Sequence, residues 1–363
     1  DVYKRQHPGI VMLDAKPTPG TKKVVASFSP RHGRPEHMGV ITVVDPSKGP
    51  DDGDAARGVS PPGKLFRDPY PFSEHCFLVA SSRGVLVMDS AGRTEIVCRA
   101  SAGGALQCHE PRPLRPRPRE RPIASRVDPR EATGRLVLSD VYKGRNMAGV
   151  RQGEIKKLLV LEQLPKPVNF SGGPWPLSVG GTITLARILG TVPVEPDGSA
   201  FAELPALQSL FFVALDENDK PVKRMHSFLI LQPGETTSCV GCHEQRTESI
   251  IAGRNLAAMS RRPSRIEPIE DCPDVFDFPR DIQPILDKHC VECHGGERLD
   301  GGVTLSGGRG PRYSLAYVTL LSRPGLVSHG RDADGNKAAR GIGSSASRLM
   351  QLIDDDHFGA QLS

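Results

Sequence analysis

The pattern Cys-x-x-Cys-His occurs twice, as Cys239-Val-Gly-Cys242-His243 and as Cys290-Val-Glu-Cys293-His294. No other feature constrains the chain as tightly. Two thiols three residues apart on one helical turn can reach the vinyl groups on one edge of a porphyrin, and the adjacent histidine then lies under the iron. Covalent attachment holds such a cofactor in a domain too small to bury it. Histidine makes up 11 of 363 residues, so finding it after both pairs by chance is on the order of one in a thousand. The pattern predicts two covalently bound haem c groups. Cys239, Cys242, Cys290 and Cys293 would be the attachment points, and His243 and His294 the proximal iron ligands. Two other chemistries use paired cysteines. A four-cysteine zinc ribbon would have to bridge residues 243–289 and would leave both histidines unexplained. A redox dithiol belongs with a thioredoxin-like βαβ pattern, which is absent.

Each iron has a distal position to fill. A histidine or methionine there gives electron transfer, and an open position admits substrate chemistry. For the second haem the candidates lie downstream: His357 first, then Met350 and His329. For the first haem His226, His109, His75 and Cys76 are equal candidates. Pro279 sits where a helix would start, and Ile282, Ile285, Leu286 and His289 share one face of it. That helix would turn its isoleucines and leucine to the haem and end at the second motif. Tyr313–Leu321 and Ser347–Ile353 are further helix candidates beyond a glycine-rich loop.

The rest of the chain reads as strands. Glycine (38) and proline (33) are plentiful and aromatics are 5%, which suits short strands and many turns. Lys23–Ser29, Gly39–Asp45, Cys76–Ala80, Gly84–Asp89 and Thr94–Cys98 repeat a strand–turn–strand rhythm, as β-propeller blades do. Asp45–Gly63 reads as a surface loop. Arg135–Ser139, Ile155–Leu161, Thr182–Leu189, Ser209–Ala214 and Ser227–Leu231 are strand candidates for a β-sandwich. The expected fold is therefore mainly β with a small α domain. Residues 1–105 would be partial propeller blades. Residues 106–270 would be a β-rich middle domain carrying the first haem motif, and 271–363 a cytochrome c-like helical domain carrying the second.

Between the first two parts, seven arginines from Arg112 to Arg130 are interleaved with prolines, which favours an extended strap. It reads as a solvated linker or as a strip of guanidiniums for anions or haem propionates. The net charge of +5 is too small to imply nucleic acid. No apolar run is long enough for a membrane helix. Asp1–Gln6 resemble translated sequencing-adapter sequence, there is no initiating methionine, and the chain reads as a fragment. Of the other cysteines, Cys98 reads as a buried strand thiol, and Cys108 and Cys272 as loop thiols.

Several segments carry a resemblance. Leu161-Glu-Gln-Leu-Pro-Lys-Pro167, Val194-Glu-Pro-Asp-Gly-Ser-Ala200, Ala214-Leu-Asp-Glu217 and Leu231–His243 resemble the middle domain of the hydrazine synthase alpha subunit family. That resemblance implies a propeller, a haem-bearing middle domain and a C-terminal c-type haem domain in this order. It implies that Cys239, Cys242 and His243 hold the reactive haem, and that Cys290, Cys293 and His294 hold a relay. It also implies other subunits or a redox partner, and a zinc ion that cannot be mapped here. The family's characterised enzyme uses a tyrosine four residues after the haem-binding histidine as an iron ligand. This chain has Thr247, whose hydroxyl is a poor replacement for a phenolate, so hydrazine synthesis does not carry over. The resulting expectation is an extracytoplasmic, periplasm-type di-haem redox protein with a small-molecule substrate possible at the first haem. The alternatives are a non-catalytic electron-transfer or scaffold protein whose propeller binds a partner, and a zinc-bound structural module.

Overall fold

In a computed structural model, the description covers residues 11–30, 37–48, 52–61, 63–101, 107–116, 119, 121–165, 185–225, 227–242, 253, 255–310, 313–328 and 337–359. The chain divides into two compact units, 1–122 and 123–363.

The first unit is built from two four-stranded antiparallel sheets. One runs β1 (Val11–Pro17), β2 (Val24–Ser29), β3 (Val40–Val44), β4 (Ala56–Gly58), and the other β5 (Arg67–Ser73), β6 (Cys76–Ser81), β7 (Gly84–Asp89), β8 (Thr94–Arg99). Within each sheet, spatial order equals chain order. Valines and isoleucines dominate because β-branched side chains pack well on a pleated surface. Both sheets feed one core that contains Val25, Ile41, Phe77, Val79, Leu86 and Met88. The expected strands are present. β1 and β5 were not foreseen, and β4 lies inside the stretch expected to be a loop. Cys98 corrects an expectation too. It is exposed, because β8 is an edge strand with only β7 beside it.

The second unit begins with two sheets. One has the order β11 (Leu185–Pro193), β10 (Lys157–Leu164), β13 (Leu210–Leu215), β14 (Pro221–Arg224) and is antiparallel throughout. The other has the order β12 (Ala200–Pro205), β9 (Thr133–Asp140), β15 (Thr236–Gly241), with β15 parallel to β9. One core draws on both, including Leu136, Leu158, Val160, Leu204, Leu210 and Val222. Ser227–Leu231 is not a strand. Only Leu229 bridges, to Leu210. Along the strap, the described arginines lie on exposed chain without regular structure. Arg112 pairs with Glu110, Arg130 with Asp128, and Arg115 lies over Phe72.

The small helical part follows. A π-turn over Phe278–Ile282 is capped by the Asp277 side chain, which accepts from the Arg280 amide, and Pro279 sits in its first turn. Then come α1 (Gln283–His289), α2 (Val291–His294), β16 (Arg298–Leu299), α3 (Leu315–Ser322) and α4 (Arg348–Asp354). Ser314 caps α3. Leu286, Leu305, Ala316 and Leu320 form its core, with Ile282 packed against them. Ile285, expected on the same face, is exposed. This part is tied to β14, where the Arg340 amide donates to the Val222 carbonyl at 2.8 Å and the Ser345 hydroxyl to that of Pro221 at 2.7 Å. Lys220 pairs with Asp354 on α4.

Candidate haem-binding sites

At the second motif, the local chain does what the spacing demands. α1 ends at Cys290, whose amide donates to the Leu286 carbonyl at 2.8 Å. The next turn starts at once, with the His294 amide donating to the Cys290 carbonyl at 2.9 Å. Cys290 and Cys293 therefore stand one helical turn apart, and Cys290 packs on the helical core. Burial pushes the Cys290 thiol pKa up, with the neighbouring Cys293 adding to the shift.

After His294 the chain folds back on itself. Gly295 bridges to Arg298 and His294 to Leu299. The Leu305 amide donates to the His294 carbonyl at 2.6 Å. This return brings the Asp300 carbonyl within 3.0 Å of His294 Nδ1. A proton on Nδ1, donated to that carbonyl, leaves Nε2 bare, which is how a metal-ligating imidazole is fixed by its surroundings.

The rings of His357 and His294 are near-parallel, with 6.0 Å between centroids and 16° between planes. Two imidazoles that reach one metal edge-on, through their in-plane nitrogens at bonds of about 2 Å and with roughly 1 Å from nitrogen to ring centre, would lie about 6 Å apart. His357 sits just beyond α4. Its neighbours Asp356 and Phe358 both have left-handed backbones, with φ 56° and 48°. Left-handed non-glycine residues are uncommon and collect where a site needs a particular side-chain direction. Of the other downstream candidates, Met350 lies half-buried on α4, and His329 falls outside the described residues.

The first motif is built differently. The helical-turn argument does not apply, because Cys239 lies in β15, opposite Leu138 of β9. Cys242 follows the last strand residue, and its amide donates to the Lys143 carbonyl at 2.7 Å. Both thiols pack on the core shared by the two sheets. The approach of the 143–144 turn is close. A Cβ on Gly241 would stand 2.2 Å from the Lys143 carbonyl oxygen, and one on Gly144 would stand 2.0 Å from that of Cys242. His243, Thr247 and His226 lie outside the described residues. Of the remaining distal candidates, all in the first unit, His109 is engaged with Asp68 at 3.2 Å and with Arg67 at 2.9 Å. His75 and Cys76 stand at the turn between β5 and β6.

One residue beside the first motif had no signal in the sequence. Lys223 is buried on β14, and its ammonium donates to the Asn146 and Lys337 carbonyls. Burial drives its pKa down, and the nearby Cys242 thiol partly offsets this. Only its place in the strand, next to Val222 and turned to the core, gives it away.

The four motif cysteines do not gather. Among the described residues, the group of three or more potential metal-ligating side chains is Asp14, Asp68 and Glu110, in the first unit. A ribbon made from both cysteine pairs thus finds no support.

Residues 153–244 match the model of the hydrazine synthase alpha subunit middle domain. The match spans β10 to Cys242 and contains all four segments that resemble the family. Among solved structures, Kuenenia stuttgartiensis hydrazine synthase aligns with a TM-score of 0.65 and 20% identity. The alignment covers 86% of this chain and 52% of that one, so the chain spans about half the length of its structural relative. At that identity the likeness establishes a shared fold. No curated protein matches the chain. No helix among the described residues is long and apolar enough to cross a membrane.

Proposed function

We propose that the chain is part of an extracytoplasmic di-haem c-type redox protein related to the hydrazine synthase alpha subunit. Haem bound to these motifs would supply one-electron redox chemistry, and the protein would set its ligands and surroundings. Cys290 and Cys293 would tether the second group, with His294 and His357 as its candidate iron ligands. Two histidine ligands would leave no position for substrate, and the chemistry such a site would supply is electron relay. The observation that carries the reading is the near-parallel pair His294 and His357 at 6.0 Å between ring centres, with His294 Nδ1 held by the Asp300 carbonyl.

Cys239, Cys242 and His243 form the first site. Cys239 stands on a strand and Cys242 just beyond its end, beside the buried ammonium of Lys223, and any substrate chemistry would belong there. Thr247 in place of the family's tyrosine argues against hydrazine synthesis as the reaction. The two sheets of the first unit are read as propeller blades, because each is a four-stranded meander in chain order. The three-part division at 105 and 270 is kept as a functional one, and other subunits or a redox protein are the expected partners.

Replacement of His357 tests the relay. Chain matured with haem c should show a low-spin six-coordinate haem that turns high-spin in His357→Ala, seen by electron paramagnetic resonance. An unchanged low-spin signal in the variant would remove His357 from the site.

A further inference from the structure

The sheet of β11, β10, β13 and β14 has a second face, turned away from the core. It lines a cavity of about 860 Å³. Side chains alternate across a strand, so Leu159, Leu161, Ile188, Phe211 and Val213 stand on this face. The segment Glu267–Glu270 and Ile342 complete the cavity's lining. The volume lies within the range of small-molecule sites, roughly 300–1,000 Å³.

Arg224 stands in this apolar wall. It pairs with Val213 across the β13–β14 ladder, and its guanidinium lies 5.0 Å from the centre of the Phe211 ring. Its Nε is buried and donates to nothing. Among the described residues it has no carboxylate partner. Burial alone acts on its pKa, downward, with no anion to oppose it. A guanidinium does not give up its proton in proteins, so the unmet need is for a negative charge. The side chain is partly exposed, but its Nε is out of water and unpaired, and a buried unmet donor is costly unless something pairs with it. The acids around the cavity do not. Asp219 is held by Lys157 at 2.6 Å, and Glu267 and Glu270 are exposed at the rim, in water.

We propose that this cavity binds a small carboxylate with an apolar body, its chain along Leu159, Ile188 and Val213 and its carboxylate on Arg224. The planar fork of arginine matches a carboxylate in a bidentate pair, and the Phe211 face holds the guanidinium plane in place. A phosphate dianion fits less well, because Lys157 is committed to Asp219 and one cation remains. The site is independent of the haem reading and would exist whatever the motifs carry.

The test is calorimetric titration of the haem-matured protein with decanoate and with its neutral counterpart decanamide. Decanoate should bind at least tenfold more tightly. Arg224→Gln should reduce decanoate to the decanamide level, Arg224→Lys should fall between, and Ile188→Trp should fill the cavity and abolish binding of both. Absence of decanoate binding, equal binding of the two ligands by the wild type, or unchanged decanoate affinity in a folded Arg224→Gln would each overturn the proposal. A haem propionate already seated on Arg224 would exclude decanoate and belongs with those refuting results.

Discussion

Gly241→Ala puts the architecture of the first motif to a quantitative test. The new Cβ would stand 2.2 Å from the Lys143 carbonyl oxygen and 2.7 Å from the Lys143 Cβ. The nearest obstacle is backbone, so no side-chain rotation relieves it. To reach even 3.0 Å, the closest approach that real Cβ atoms tolerate, the carbonyl must retreat by about 0.8 Å. The same oxygen accepts the Cys242 amide at 2.7 Å. Such a retreat stretches that bond to about 3.5 Å, where it no longer counts as one. Overpacking costs roughly 1–3 kcal/mol and the lost hydrogen bond about 1 kcal/mol more, so the variant should lose about 2–4 kcal/mol. Urea denaturation followed by circular dichroism should show the second unit's midpoint fall by about 1–2 M at an unchanged slope of roughly 2 kcal/mol per M. Hydrogen exchange should show lost protection in the peptide 236–242. An unchanged midpoint together with full protection of that peptide would refute the close approach of the 143–144 turn to Cys242.

Other perturbations have defined outcomes. Leu204→Ala removes a fully buried side chain from the core shared by the two sheets and should cost about 2–5 kcal/mol, read from the same urea transition. Gly190→Ala at φ +131° drives a Cβ into the Glu267 carbonyl at 2.2 Å, breaking the Thr191–Glu267 bridge that edges the Arg224 cavity. It should lower stability by roughly 1–3 kcal/mol and weaken decanoate binding in parallel. Asp14 has a raised pKa, first through burial, then through its hydrogen bond to Asp68 and the charges of Asp68 and Glu110. A raised carboxyl stabilises the fold below its unfolded pKa and loses that contribution as pH rises through its folded one. Asp14→Asn should therefore raise the first unit's urea midpoint at neutral pH, and the gain should vanish in acid, where Asp14 is protonated. An equal gain at both pH values would count against the cluster.

The legible parts of the fold were those with strong local signals. β7 was read to the residue because Gly84 and Asp89 bound a run of apolar residues. The helix before Cys290 was read from Pro279 and its apolar spacing, although a π-turn occupies its first five residues. β1, β5, β12 and β15 were missed because Asp14, Pro71, Glu203 and the threonine and serine of Thr236–Ser238 interrupt the apolar pattern. Pairing with a neighbouring strand, a tertiary effect, makes strands of them. The same limit applies at the sites. The spacing of Cys290, Cys293 and His294 is local and visible in the sequence, whereas the approach of the His357 ring to that of His294 needs the folded chain. The strand setting of Cys239 depends on β9, a hundred residues earlier, and no local pattern reports it. Lys223 and Arg224 are adjacent on one strand and point to opposite sides of it, one to the core and one to a cavity. Only the packed sheet separates their roles.

Haem stoichiometry tests the central claim most directly. The chain expressed with c-type maturation should carry two covalently bound haems by pyridine haemochrome assay and intact mass. Replacing Cys239 and Cys242 with alanine should leave one haem, and replacing Cys290 and Cys293 should also leave one. A matured chain that carries no haem and binds zinc at the cysteines instead would contradict the account.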